Sequence, residues 1–245
     1  MIPHPKRVRR PAGSAVLLPI LVSGFLLSGS SGQSATFTTD FAFDPGGLPL
    51  GIAEVEAGVL KLTDLADLPP ADPPKPLPQN GSYILPDFNG SQPIQSFTAT
   101  FKAAVGGGSS LGAQGFSFVL ASDFGFDVFR EGGGNSQGLV ISFDTIDNLA
   151  GFNAEGNEPG DAPGIIVKLG GTKVAARSFK GIQTYPANST ATRFAQVEVK
   201  LDPDGTLDVT YDGVKVYDNV GIGYTPIAGL FGFGAGTAEL TAAIR

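Results

Sequence analysis

Apolar and polar residues alternate one by one along most of this chain. In "QGLVISFDTIDN", residues 137–148, Leu139, Ile141 and Phe143 fall on one side and Val140, Ser142 and Asp144 on the other. A period of two predicts a half-buried strand that ends in a cluster of oxygen donors, Asp144, Thr145, Asp147 and Asn148. The runs "TFTTDFAF" (36–43), "IQSFTATFKAAV" (94–105), "GFSFVLA" (115–121) and "RFAQVEVKL" (193–201) read as strands for the same reason. "GIIVKL-GG-TKVAA" and "TLDVTY-DG-VKVYD" carry two-residue hairpin turns at Gly170-Gly171 and Asp212-Gly213. No run has helical spacing. The pattern predicts an all-β fold, an antiparallel β-sandwich.

Two segments break the alternation. Seven prolines between Pro69 and Pro86 argue against a central strand there and predict a long surface loop or a lid on the ligand side. "DPDGTLD", 202–208, has part of the spacing of a helix-flanked calcium loop, but Gly213 stands at its twelfth position and strands flank it. It reads as a hairpin turn.

The first residues have a different grammar. Lys6, Arg7, Arg9 and Arg10 precede an apolar run at 15–27 broken by Pro19 and Gly24, followed by small residues. This is the layout of a secretory signal peptide, with cleavage expected between about residues 30 and 35. The run is too short for an ordinary membrane span. The expected division is a leader at 1–33 and one domain at 34–245, and the expected destination is secretion, the periplasm or the cell surface. No membrane insertion is expected after cleavage. Asn80, Asn89 and Asn188 fit glycosylation sequons, which matter only in a host that glycosylates exported proteins.

Removing the leader changes the chemistry on offer. It takes four of 16 basic residues and none of 23 acidic ones, leaving 12 against 23 and a net charge of −11. Such a surface repels phosphate backbones, so nucleic acid is not an expected partner. His4, the only histidine, leaves with the leader, and cysteine and tryptophan are absent. A Ser-His-Asp triad, a thiol nucleophile and an ordinary zinc site are thereby excluded from the mature chain. Any metal must be a hard ion held by oxygens, for which calcium is the candidate. Without disulfides the core alone must hold an exported fold. Glycine at 35 of 245 residues, about twice the usual share, fits many short strands joined by tight turns.

In order, "SFTATFKAAVGGG", "AQGFSFVLA", "GGGNSQGLVISFDTIDN", "PGIIVKLGG", "VEVKLDPDGTLDVTYDG" and "GLFGFGAGT" resemble the legume-lectin-like (L-type lectin) branch of the concanavalin-like lectin/glucanase superfamily, closest to the domains of secreted bacterial proteins. The resemblance spans about residues 37–237. It implies a concanavalin-like jelly roll of one flat and one curved sheet that binds sugars, with metal ions holding the binding loops. On the metal strand it implies calcium ligation by Asp144, the backbone oxygen of Ile146 and the side chain of Asn148. A second loop ligand, a carboxylate in the family, is expected at one of Asn153, Glu155, Glu158 and Asp161, of which Asn153 and Glu155 are the leading positions. The family's transition-metal acid is replaced by Ser142 and its histidine is missing, so no transition metal is expected.

The sugar site carries over unevenly. The family Asp that bonds two hydroxyls corresponds to Gln114 after Ala113, and the stacking ring corresponds to Ile146. The glycine amide corresponds to Gly133 or Gly134, and the Asn shared by calcium and sugar to Asn148. Gln114 still donates and accepts hydrogen bonds. Phe124, Phe126, Phe129 or Phe152 could supply a ring, though core packing is the commoner use of such residues. The expected function is binding of an extracellular glycan or polysaccharide without catalysis. Two alternatives stand beside it. One is a laminarinase-like glycosidase, but its nucleophile position holds Ser142, its helper Asp144 and its acid Asp147, with no histidine to activate the serine. The other is an adhesion or structural domain whose sugar site has decayed. Relatives continue past the "GFGAGT" match into a closing strand, so a sandwich with an abbreviated or borrowed last strand is also expected.

Overall fold

The structure is a computed structural model of the 245-residue chain. It describes residues 20–28, 35–63, 79–106, 113–125, 127–130, 132–134, 137–145, 163–182, 184 and 193–237. In chain order the strands are β1 (Ile20–Ser28), β2 (Thr36–Phe37), β3 (Leu48–Gly51), β4 (Glu54–Glu56), β5 (Val59–Lys61) and β6 (Asn80–Ile84). Then come β7 (Pro93–Ile94), β8 (Ser96–Ala103), β9 (Ala113–Ala121), β10 (Leu139–Asp144), β11 (Gly164–Leu169) and β12 (Thr172–Ser178). The last are β13 (Ala195–Leu201), β14 (Thr206–Tyr211), β15 (Val214–Gly221), β16 (Ile227–Ala228) and β17 (Leu230–Thr237). There is no helix among the described residues.

Two antiparallel sheets face each other. One runs β15-β14-β13-β8-β1-β5-β4, with β2 paired to β1, and is called the back sheet. The other, the front sheet, runs β12-β11-β10-β9-β17-β6-β3. The alternation read from sequence drives this arrangement. Along β13 Ala195, Val197, Val199 and Leu201 are buried while Gln196 and Glu198 are exposed, and β14 follows suit with Leu207, Val209 and Tyr211 buried. A layer of phenylalanine joins the sheets. Phe101 meets Phe233 at 5.1 Å and Phe116 at 6.2 Å, and Phe97 meets Phe231 at 5.2 Å and Phe118 at 5.8 Å between ring centroids. Both hairpin turns adopt the expected left-handed backbone, with φ of 56° and 78° at Gly170-Gly171 and 49° and 80° at Asp212-Gly213. Tyr211 and Tyr217 donate their hydroxyls to the carbonyls of Ile182 and Ile165, each at 2.6 Å. Burial pushes both phenols well above the ordinary value of 10.0.

The structure corrects two expectations. The run 36–43 is not one strand: only Thr36–Phe37 pairs, and Phe41 turns back with φ of 54° to bury its ring against Tyr83. Nor is the whole of 69–86 a loop. Pro69 to Pro78 precede the described part, but Asn80–Ile84 is an interior strand between β17 and β3. The prolines spare 79–85, so nothing there removes a ladder donor. The stretch 202–208 is the β13–β14 turn, closed by the amide of Gly205 on the Asp202 carbonyl at 2.9 Å.

Candidate functional site

The outer face of the front sheet changes character along its strands. At one end Ile84 on β6, Val119 and Ala121 on β9 and Val140 on β10 form a second apolar cluster outside the main core. Phe129 covers it, only 3% exposed, with its ring 5.2 Å from that of Phe124. These two rings therefore pack, as the sequence suggested for most of that group. Phe126 and Phe152 lie outside the described residues. Strand β17 makes room for the covering loop by having no side chains where it lies. A Cβ at Gly232 would sit 3.0 Å from both rings, and one at Gly234 would collide with the Phe129 carbonyl. The Ser117 hydroxyl fastens the loop by donating to the Arg130 carbonyl at 2.7 Å.

Beyond that line the face is polar. Ser82 pairs with Gly234 and Gly234 with Ser117, which pairs with Ser142. The next line runs from Asn80 through Gly236 to Gly115 and Asp144. Between Gly115 and Ala113 the register shifts, and Gln114 lies at the irregularity. The amide of Thr145 donates to the Gln114 carbonyl at 3.0 Å, tying the end of β10 to that position. The fold thus brings Gln114 and Asp144 together. Asp144 is 7% exposed and Ser142 is 3% exposed.

Three buried side-chain oxygens in this polar part have no hydrogen-bond partner: Asn80 Oδ1, Ser82 Oγ and Gln114 Oε1. Asn80 and Ser82 lie on β6, and Gln114 lies beyond β17 at the start of β9, next to the Gly115 that pairs with Gly236. Native interiors pair nearly all such atoms, since an unpaired one costs about 1–3 kcal/mol, so each is a candidate partner for water or a ligand. The resemblance assigned Gln114 to the sugar and gave no such role to Asn80 or Ser82. Their only signal was the step-two spacing on a strand hidden behind prolines.

The remaining expected residues are placed as follows. Gly133 and Gly134 have the positive φ expected of a glycine turn, 75° and 59°. The Gly133 amide is donated to the Arg130 carbonyl at 2.9 Å, whereas Gly134 is exposed. Gly133 packs on Val140, four residues back along β10 from Asp144, or about 13 Å at ordinary strand rise. Ile146, Asn148, Asn153, Glu155, Glu158 and Asp161 lie outside the described residues. Among the described residues no three carboxylate, histidine or cysteine side chains gather as a metal site. Of the expected metal donors only Asp144, a buried carboxylate at the end of β10, is among the described residues.

Two facing antiparallel sheets, the front one carrying a polar outer face, make the described residues an all-β antiparallel sandwich. No protein-family model and no curated protein matches the sequence. Solved structures do match. The VIP36 exoplasmic/lumenal domain in its Ca2+- and mannose-bound form superposes with a TM-score of 0.54 at 18% identity, covering 79% of this chain and 77% of that one. Its Ca2+/Man3GlcNAc-bound form gives 0.53 at 18% identity over 81% of each chain. The Emp47p carbohydrate recognition domain gives 0.50 at 18% identity, over 79% of this chain and 80% of that one. At these identities the likeness is one of fold.

Proposed function

We propose that the chain is exported, loses residues 1–33, and binds a glycan outside the cell or in a secretory lumen without cleaving it. The observation that carries this reading is the set of unpaired buried oxygens on Asn80, Ser82 and Gln114, spread along the front sheet from β6 to β9, with Asp144 on the next strand, β10. Sugar hydroxyls both donate and accept, and they suit a cluster of one hydroxyl and two amide side chains. The face also stands on a scaffold shared with domains solved with mannose and oligomannose bound. Asn148 and the exposed Gly134 are the further contacts we assign to the sugar, with Gly133 shaping the turn.

Calcium is proposed as the support of this rim. Asp144, the backbone oxygen of Ile146, Asn148, Asn153 and Glu155 would hold it, and when bound it would fix the loop that carries Asn148. Asp144 is the anchor, set by its pairing with Gly115 and Gly164. Ser142 supports binding without hydrolysis. By the resemblance it takes the position of a retaining glycosidase's carboxylate nucleophile; it is buried, and once residues 1–33 are removed the chain has no histidine to activate it.

The test is a glycan array and calorimetry on the exported protein, with and without calcium. Binding to a defined glycan class that falls at least fivefold in Gln114→Ala and Asn80→Ala, with no product released from that glycan, is the expected result. Release of reducing ends would establish the enzyme instead. A blank array alongside a reproducible protein ligand would establish the adhesion reading.

A further inference from the structure

Strand β1 sits in the middle of the back sheet, paired with the whole of β8 from Ile20↔Ala103 to Ser28↔Ser96, yet its sequence does not suit that place. The neighbouring strands alternate strictly: β8 buries Phe97, Ala99, Phe101 and Ala103 and turns Thr98, Thr100 and Lys102 outward. In β1 apolar residues fall at both sets of positions, with Leu21 opposite Lys102 and Leu26 opposite Thr98. It also spends an extra residue on a register shift between Val22 and Gly24, nine residues being laid against eight. These are the marks of an export leader lying in a slot shaped for something else.

We propose that in the mature protein this slot is filled by the chain's own residues after Thr237, and that leader removal and closure of the sandwich are one exchange. This rests on cleavage after the leader and not on the sugar-binding reading.

Three observations select the occupant. The first is position. Phe97 packs on Phe231 and Phe101 on Phe233, so β8 and β17 run the same way across the core, and Thr237 ends level with Ala103. A chain leaving Thr237 and crossing to the back sheet enters beside Ala103 and must run antiparallel to β8, the sense that β1 takes. The second is reach. The sheets of a sandwich lie about 10 Å apart and a strand rises about 3.3 Å per residue, so Ala238 and Glu239 suffice for the crossing. The third is pattern. Beyond them Leu240, Ala242 and Ile244 alternate with Thr241, Ala243 and Arg245. Laid beside β8, the first set falls opposite Ala103, Phe101 and Ala99, and Thr241 and Ala243 fall opposite Lys102 and Thr100. This gives the inside-outside alternation that β1 lacks. Left unfilled, the slot would strip one side of a buried strand of its hydrogen-bond partners and open the phenylalanine layer.

The test uses the full 245-residue reading frame expressed in an exporting host. Intact mass of the recovered protein is expected to place its N-terminus beyond residue 28. The chain has no cysteine, so Thr100→Cys with Ala243→Cys is a clean reporter. An intramolecular disulfide is expected in the monomer, and none when Thr210→Cys replaces Thr100→Cys. Hydrogen exchange on the unaltered exported protein is the second measurement, with protection expected for Leu240 to Ile244 and for β8. Retention of residues 20–28 in the folded product would overturn the proposal. So would a disulfide formed only between two chains, or free exchange of 240–244.

Discussion

Ser82 and Ser117 occupy one cross-strand line, separated by Gly234, and they should respond to the same substitution with opposite sign. Both are fully buried. The Ser117 hydroxyl donates to the Arg130 carbonyl at 2.7 Å, whereas Ser82 Oγ has no partner. Ser117→Ala loses a hydrogen bond and leaves a carbonyl unpaired, a loss of about 1–3 kcal/mol. Ser82→Ala removes an unsatisfied hydroxyl, which relieves a penalty of that same order less the dispersion of one oxygen, for a net gain of about 1 kcal/mol. The two variants should therefore differ by about 2–4 kcal/mol. For a domain of this size that is a Tm separation of several degrees at about 2–4 °C per kcal/mol. Urea titration of the ligand-free protein is the assay, because unchanged m with shifted midpoint isolates stability. The same Ser82→Ala protein should bind its glycan about five- to tenfold more weakly, the loss of about one hydrogen bond. If Ser82→Ala destabilises as much as Ser117→Ala, the Ser82 oxygen is not held in reserve for a ligand, and the case built on the three unpaired oxygens fails.

Phe129→Ala should cost about 3–5 kcal/mol in the same titration, since the buried ring, with Phe124 beside it, covers the apolar cluster of Val119 and Val140 and the glycines of β17; a loss under 1 kcal/mol would show that the loop cover is not packed. Gly234→Ala should loosen the same loop by driving a Cβ at the Phe129 carbonyl, read as faster exchange of amides at 127–134 with β13 and β14 unchanged. Four of the five tyrosines, Tyr83, Tyr211, Tyr217 and Tyr224, have phenols raised chiefly by burial, with the Asp44 carboxylate adding to Tyr83. A raised folded pKa means their stability contribution is whole below about 10 and is lost as pH climbs through the folded values. Near-ultraviolet titration should therefore show Tyr83, Tyr211 and Tyr217 forming tyrosinate only as the protein unfolds, with Tyr224 ionising later than a free phenol. Calcium should raise Tm for the wild type and leave Asp144→Asn unmoved; an equal rise in both would remove Asp144 from the metal site.

Periodicity of two made most of the sheets legible, because it reports the only requirement that a sandwich places on every strand. The front-sheet strand 139–144 and the hairpins at Gly170-Gly171 and Asp212-Gly213 stand where that pattern and the turn chemistry put them. Strand β6 is masked in the sequence by the prolines at 69–78 and at 86 on either side of it, although none of its five residues is proline. The resemblance supplied Gln114 and Asp144, and the fold joins them through the Thr145 amide on the Gln114 carbonyl. Asn80 and Ser82 carried no such signal. A polar residue on the outer face of a strand reads as solvated unless something covers it, and cover is a matter of a third layer that strand periodicity does not encode. Even so, the chain carries a trace of that layer. Toward the end of β9, Val119 and Ala121 are apolar on the face away from the core, as is Val140 near the start of β10; one-residue alternation lapses there because Phe129 lies on top. Where alternation resumes, at Ser117 and Ser142, the hydrophobic cover gives way to oxygen donors. The boundary between packed loop and candidate sugar rim is therefore written as a switch from doubly apolar to singly apolar strand. In an antiparallel sheet, whose second face is ordinarily free to be polar, that switch marks where the third layer ends.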